Sequence, residues 1–242
     1  MRAPVRGALA AAGVAVVAAC GTLPDMPPSV PTDIVPSVAA PSLDAAESGR
    51  LSPDGFDAVQ RMAVRIRNVG CEGLSTGSGF ALDATTLITN RHVVADSESL
   101  QVNTYDGRDI DVSAASTATL ADLAVVRTED ELPSSPELAE ADPAPGARVS
   151  VVGYPSGGRL TVTAGEVIGT TTDPLNENLG EVLVTDAPVE PGSSGSAALD
   201  ESGRVIGVVY AKTTDGRSLV VPQSTLREML DDTSAFTPLP AC

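Results

Sequence analysis

The sequence predicts an all-β fold carrying one short helix, and three observations point to it. From Ala58 onward, short runs of Val, Ile, Leu and Thr recur at intervals of about ten residues, separated by Gly, Pro, Asn and Asp. A Pro-rich, acidic break at 129–146 divides these runs into two series of about six strands each. Helical periodicity is confined to one segment near the C-terminal end. Such a rhythm belongs to a β-sandwich or a β-barrel.

The first series comprises 63–67, 79–82, 86–89, 100–103, 109–114 and 123–126. Between the halves, Glu129, Asp130, Glu131, Glu137, Glu140 and Asp142 stand among Pro133, Pro136, Pro143 and Pro145, the composition of a solvated connection. The second series follows at 148–152, 160–163, 166–170, 181–185, 197–199, 205–209 and 218–221. A helix is expected over 225–231, where Thr225 and Glu228 form a capping box and Leu226, Met229 and Leu230 share one face.

Ahead of the folded part stands a targeting segment. Arg2 and Arg6 precede an apolar run at 8–19, and small residues lead up to Cys20, the pattern of a signal peptide over residues 1–19. The run is shorter than the roughly 20 residues that cross hydrocarbon. Val17-Ala18-Ala19-Cys20 resembles the lipobox of bacterial lipoproteins, which implies a diacylated Cys20 at the mature N-terminus and an extracytoplasmic, membrane-anchored protein. Cleavage at Val-x-Ala would instead release a soluble secreted form. Residues 20–55 hold Pro24, Pro27, Pro28, Pro31, Pro36, Pro41 and Pro53 without apolar periodicity, a disordered spacer between anchor and domain. The chain has three cysteines, so lipidation of Cys20 leaves Cys71 and Cys242 to pair in an oxidising compartment. That disulfide would contribute about 4–5 kcal/mol in the chain-entropy treatment and tie the C-terminal tail to the first β unit.

Composition removes several function classes. The 242 residues carry 15 basic and 32 acidic side chains, a formal charge of −17, and only six aromatic residues. Such a field repels a phosphate backbone and offers few stacking platforms, which excludes nucleic acid as a partner. One His and three Cys, with no Cys-x-x-Cys pair, cannot assemble a usual zinc set, and neither a metal nor another cofactor is expected.

The chemistry concentrates at three places. Thr89-Asn90-Arg91-His92-Val93-Val94 puts the only imidazole at a turn after a strand. Ala121-Asp122-Leu123-Ala124 puts a carboxylate at the mouth of a buried strand, where it needs a donor such as an imidazole N–H. Pro191-Gly192-Ser193-Ser194-Gly195-Ser196-Ala197 is a loop of small residues that can expose a hydroxyl and aim backbone N–H groups at one point.

With these motifs the sequence resembles the trypsin-like serine peptidases of the chymotrypsin type. The resemblance spans 58–231 and includes Gly77-Ser78-Gly79-Phe80, Gly153-Tyr154-Pro155, Gly165 on a hairpin and the chain order His, Asp, Ser. It implies two six-stranded antiparallel β-barrels with a short C-terminal helix, within a peptidase domain at 56–242. The first barrel would occupy 58–128, the connection 129–146 and the second barrel 147–223. The resemblance further implies Ser194 as nucleophile, His92 as general base and Asp122 as its orienting partner, ranking Ser193 and Ser196 below Ser194. The backbone N–H groups of Gly192 and Ser194 would form the oxyanion hole.

The family's loop more often has Asn or Asp where Ser193 stands and Gly where Ser196 stands. Loss of that carboxylate implies a hole formed without proteolytic activation, and Ser196 adds a Cβ beneath the pocket. Pro188, Glu190, Tyr210 and Ala211 are the expected pocket residues. With Pro188 in place of a wall Asp, cleavage after a small or medium apolar residue is expected, although Glu190 offers a carboxylate elsewhere in the wall. The expected molecule is a monomeric serine endopeptidase acting on protein or peptide. The competing reading from another class is a lipid-anchored binding protein that keeps the fold without hydrolysing peptides. A transporter's substrate-binding lipoprotein fits poorly, since it would alternate strands with helices.

Overall fold

The computed structural model describes residues 56–118, 121–175 and 179–240. The predicted signal peptide, Cys20, the spacer and Cys242 lie outside the described residues.

Asp57 opens the described chain with a capping box: its carboxylate accepts from Gln60 N at 2.8 Å while Gln60 Oε1 accepts from Asp57 N at 3.0 Å. The short helix α1 (Ala58–Arg61) leads into β1 (Ala63–Gly70), β2 (Leu74–Asp83) and β3 (Thr86–Thr89). A one-turn helix α2 (Arg91–Val94) precedes β4 (Ser97–Asn103), β5 (Asp109–Ile110), β6 (Val112–Ala118) and β7 (Ala124–Thr128). After the acidic connection come β8 (Arg148–Gly153), β9 (Thr161–Thr172), β10 (Glu181–Thr185), β11 (Ala197–Leu199), β12 (Val205–Lys212) and β13 (Ser218–Pro222). Helix α3 (Gln223–Asp231) and β14 (Phe236–Pro238) complete the order.

The second β unit is a closed barrel of six strands, ordered β10-β13-β12-β11-β8-β9. The first is an eight-stranded sheet, ordered β14-β6-β7-β3-β2-β1-β4-β5. Eight strands stand where six are expected, because the run at 109–114 divides into β5 and β6 and the C-terminal β14 is added; β5 and β14 form the two edges. Both are very short, which limits the unpaired backbone that an edge presents to other chains.

Two elements differ from their sequence reading. The runs at 160–163 and 166–170 form one continuous strand, β9, whose first half pairs with β8 and second half with β10. Gly165 lies inside that strand and pairs with Val149 on the antiparallel β8–β9 hairpin, and a Cβ there would stand 2.4 Å from Ala187 N. Helix α3 starts at Gln223, two residues before Thr225, with no side-chain cap of its own. The cap comes from the connection instead: Asp142 accepts from Ser224 N at 3.0 Å and from Ser224 Oγ at 2.5 Å.

Apolar burial joins the two β units. One cluster combines Phe80, Ile88 and Leu123 from the sheet with Val152, Leu199 and Leu226 from the barrel side, each almost wholly buried. At about 1.5–3 kcal/mol per buried large aliphatic or aromatic side chain, this shared core fixes the seam on which the functional loops lie. α3 packs on β12 and β13, and β14 then pairs with β6, so the C-terminal segment runs from the barrel back to the sheet.

Candidate active site

His92 lies on α2, held there because Val93 and Val94 are buried in the sheet's core while the imidazole stays half exposed. Asp122 leads into β7 between buried Ala121 and Leu123, and only 14% of its side chain is exposed. Both carboxylate oxygens are committed to His92. Oδ2 lies 2.5 Å from His92 Nδ1, and Oδ1 accepts from the His92 backbone N–H at 3.0 Å. Asn90 Nδ2 donates to the Asp122 carbonyl at 2.7 Å, fixing the backbone beneath the pair. With Nδ1–H donated to the carboxylate, Nε2 is left as the bare acceptor.

The small-residue loop is folded by its own backbone. Ser196 N donates to Ser193 O at 3.0 Å, Ser193 N to Glu190 O at 2.8 Å, and Gly195 N to Val209 O at 2.8 Å. Gly195 has φ +85°, and a Cβ there would stand 2.0 Å from Ser78 O, so the position excludes side chains on two counts.

The 190–194 loop is also oriented from outside. Ser156 N donates to Pro191 O at 2.6 Å. Since that peptide is trans, its carbonyl and the Gly192 N–H point in opposite directions, and the N–H faces away from the 155–157 turn. Among the described residues neither Gly192 N nor Ser194 N donates to an internal acceptor, which leaves both available to a ligand oxygen. Ser156 reaches its position with φ +55°, ψ +23°, a left-handed conformation that costs a non-glycine residue about 1 kcal/mol.

A residue to which the sequence assigns no role ties these parts together. Ser78 N donates to Ser194 O at 2.8 Å, and Thr89 Oγ1 donates to Ser78 O at 2.6 Å. Ser78 Oγ donates to Gly192 O and accepts from Tyr154 N, both at 2.8 Å. The preceding Gly77 lies directly against Val93, the neighbour of His92. The Gly-Ser-Gly run thus links the histidine turn to the serine loop. His92 and Asp122 are hydrogen-bonded to each other; between Ser194 Oγ and His92 Nε2 there is no hydrogen bond in this structure.

The four pocket candidates separate. Glu190 and Ala211 line a pocket of about 180 Å³ beside Ser194, together with Val189, Val209 and Lys212. Pro188 lines a second cavity of about 170 Å³ beneath the loop, to which Glu190 also contributes. Tyr210 alternates away from its strand neighbours and is buried, its hydroxyl donating to Asp173 Oδ1 at 2.7 Å. Burial, then the Asp173 carboxylate, raises the Tyr210 phenol far above its ordinary value. The Cβ of Ser196 is accommodated by a glycine opposite: a Cβ on Gly153 would meet Ser196 Oγ at 1.9 Å. Among the described residues no cluster of His, Cys, Asp and Glu could hold a metal.

Residues 77–208 match the trypsin-like peptidase domain family. The chain belongs to that family. It is 35% identical over 166 residues to the mitochondrial serine protease HTRA2 of Bos taurus, covering 65% of this chain and 36% of that protein. It is 32% identical over 171 residues to the serine protease Rv3671c of Mycobacterium tuberculosis, covering 65% and 42%. The crystal structure of the active form of the Rv3671c protease superposes with a TM-score of 0.68 at 28% identity, covering 76% of this chain and 87% of that one. The chain thus spans about two fifths of the length of these two curated relatives. The trypsin-like match agrees with the two β units and the C-terminal helix described above.

Proposed function

We propose that this trypsin-like chain is a serine endopeptidase working through His92, Asp122 and Ser194. The observation that carries the reading is the hydrogen bond between His92 Nδ1 and Asp122 Oδ2, which leaves Nε2 free to act as base on the serine side.

A serine hydroxyl is a weak nucleophile at neutral pH, so attack requires its proton to leave as the C–O bond forms. In the proposed sequence Ser194 Oγ bonds to the scissile carbonyl carbon while His92 Nε2 takes the proton. The carbonyl π pair moves onto oxygen. Gly192 N–H and Ser194 N–H then donate to that oxyanion, each worth roughly 3–4 kcal/mol. Collapse expels the amine, which takes the proton from His92, and leaves an acyl ester on Ser194. Water, deprotonated by the same imidazole, cleaves the ester and restores the hydroxyl. Asp122 keeps the tautomer and stabilises the imidazolium without taking its proton.

The apolar lining of Val189, Val209 and Ala211 supports cleavage after a small or medium apolar residue. We further infer a lipid anchor on Cys20, an extracytoplasmic location, a Cys71–Cys242 disulfide and a monomeric domain over 56–242. Leu239 and Pro240 line one surface pocket with Ser97 and Glu98, and Cys71 N donates to Asp96 O at 2.9 Å, which supports the disulfide by bringing the tail toward Cys71. Non-reducing peptide mapping tests that bond.

Hydrolysis of peptides with Val or Ala before the scissile bond tests the activity. Ser194→Ala and His92→Ala should each lower kcat by about 10⁴-fold or more. Equal rates in wild type and Ser194→Ala would contradict the reading.

A further inference from the structure

The pocket beside Ser194 has one charged feature in a wall otherwise made of Val189, Pro191, Val209, Ala211 and the two serines Ser193 and Ser194. Glu190, on the segment before Pro191, and Lys212, at the end of β12, reach toward each other from opposite sides, with Lys212 Nζ donating to Glu190 Oε1 at 2.9 Å. Their side chains are 59% and 37% exposed, so the pair contributes little to stability. Its effect on a bound side chain is larger, because an entering side chain displaces water from the pocket and weakens the screening around both charges.

We propose that this ion pair determines which side chains the pocket accepts, each partner cancelling the charge the other would show alone. The proposal rests on the peptidase reading and adds to it the device that sets selectivity. A basic side chain entering the pocket finds Glu190 already matched and Lys212 repelling it. An acidic one finds Lys212 matched and Glu190 repelling it. An apolar one meets Val189, Val209 and Ala211 with no charge to desolvate. The Glu190 carboxylate, which on sequence alone offers a counter-charge for Arg or Lys, is thereby occupied by a neighbour 22 positions along the chain.

The prediction is reciprocal. Lys212→Met leaves Glu190 alone at the wall and should shift preference toward Arg and Lys. Glu190→Gln leaves Lys212 alone and should shift it toward Asp and Glu. The double variant restores a neutral wall and should return the wild-type order.

The experiment measures kcat/KM for the mature domain and the three variants. Substrates are fluorogenic tetrapeptides that differ only in the residue before the scissile bond: Val, Arg or Asp. The expected result is a rise of about fivefold or more in the Arg-to-Val ratio for Lys212→Met. An equal rise in the Asp-to-Val ratio is expected for Glu190→Gln, with both ratios back within twofold of wild type in the double variant. Ratios that stay within twofold in both single variants, while wild type cleaves the Val peptide, overturn the role of the pair. A folded wild-type protein that cleaves none of the peptides overturns the peptidase reading itself.

Discussion

The backbone N–H of Ser78 donates to the carbonyl of Ser194 at 2.8 Å, so the serine loop of the barrel is hydrogen-bonded into the sheet that carries His92. The Ser78 hydroxyl adds two bonds of its own, to Gly192 O and from Tyr154 N. Ser78 is wholly buried. Ser78→Ala should therefore leave a buried N–H and a carbonyl without their partner and destabilise the domain by about 1–3 kcal/mol. Urea unfolding monitored by circular dichroism measures this. The same variant should lower kcat more than it raises KM, since the loop it releases holds the N–H groups proposed to donate to the oxyanion.

Ser156 orients one of those donors through its own N–H. Ser156→Pro deletes the N–H and forces φ to about −65°, against the +55° observed. The expected loss is about 10²-fold in kcat with KM within about twofold, the signature of a donor used in the transition state. Ser156→Gly keeps the N–H and suits a positive φ, so its kcat should match wild type. Steady-state kinetics on both variants, with circular dichroism to confirm the fold, separates orientation from general disruption.

Away from the site, Asp200 shapes the β11–β12 turn. Burial alone would raise its carboxyl, but bonds from the Arg204 backbone, the Arg204 side chain and the Ser202 backbone hold it below the usual carboxylate range. A carboxyl depressed in the folded state stabilises the fold above its unfolded pKa, and that stability is lost as pH falls through the folded value. Asp200→Asn should lower stability at pH 7 by about 1 kcal/mol and flatten the acid limb of a stability–pH curve. Thermal melts between pH 7 and 2 measure both.

Much of this arrangement is legible in the sequence, and the reasons are local. Alternating apolar runs mark strands because a half-buried strand must alternate, and the acidic Pro-rich break marks the connection because its prolines and carboxylates interrupt strand pairing, although Leu132 and Ala139 within it are buried. The His, Asp and Ser motifs are readable because each sits in a short stereotyped segment. What escapes is set by distant partners. Asp142 caps a helix 82 positions away, and β14 finds its partner in β6, with Thr237 opposite Thr117, 120 positions back along the chain. The close approach of Ala187 to Gly165, which leaves no room for a side chain, is likewise set by a segment more than twenty positions away. The Glu190–Lys212 pair and the Ser78 bridge depend on strand register and loop placement, which no local pattern encodes.

In the proposed enzyme the fold makes the Ser194 hydroxyl nucleophilic through His92. A fluorophosphonate probe applied to the mature domain, followed by peptide mass spectrometry, reads this directly. The reading predicts a single adduct on Ser194 in wild type, formed at least 10²-fold more slowly in His92→Ala. Adduct formation at equal rates in the two proteins, or on Ser193 or Ser196 instead, would contradict it.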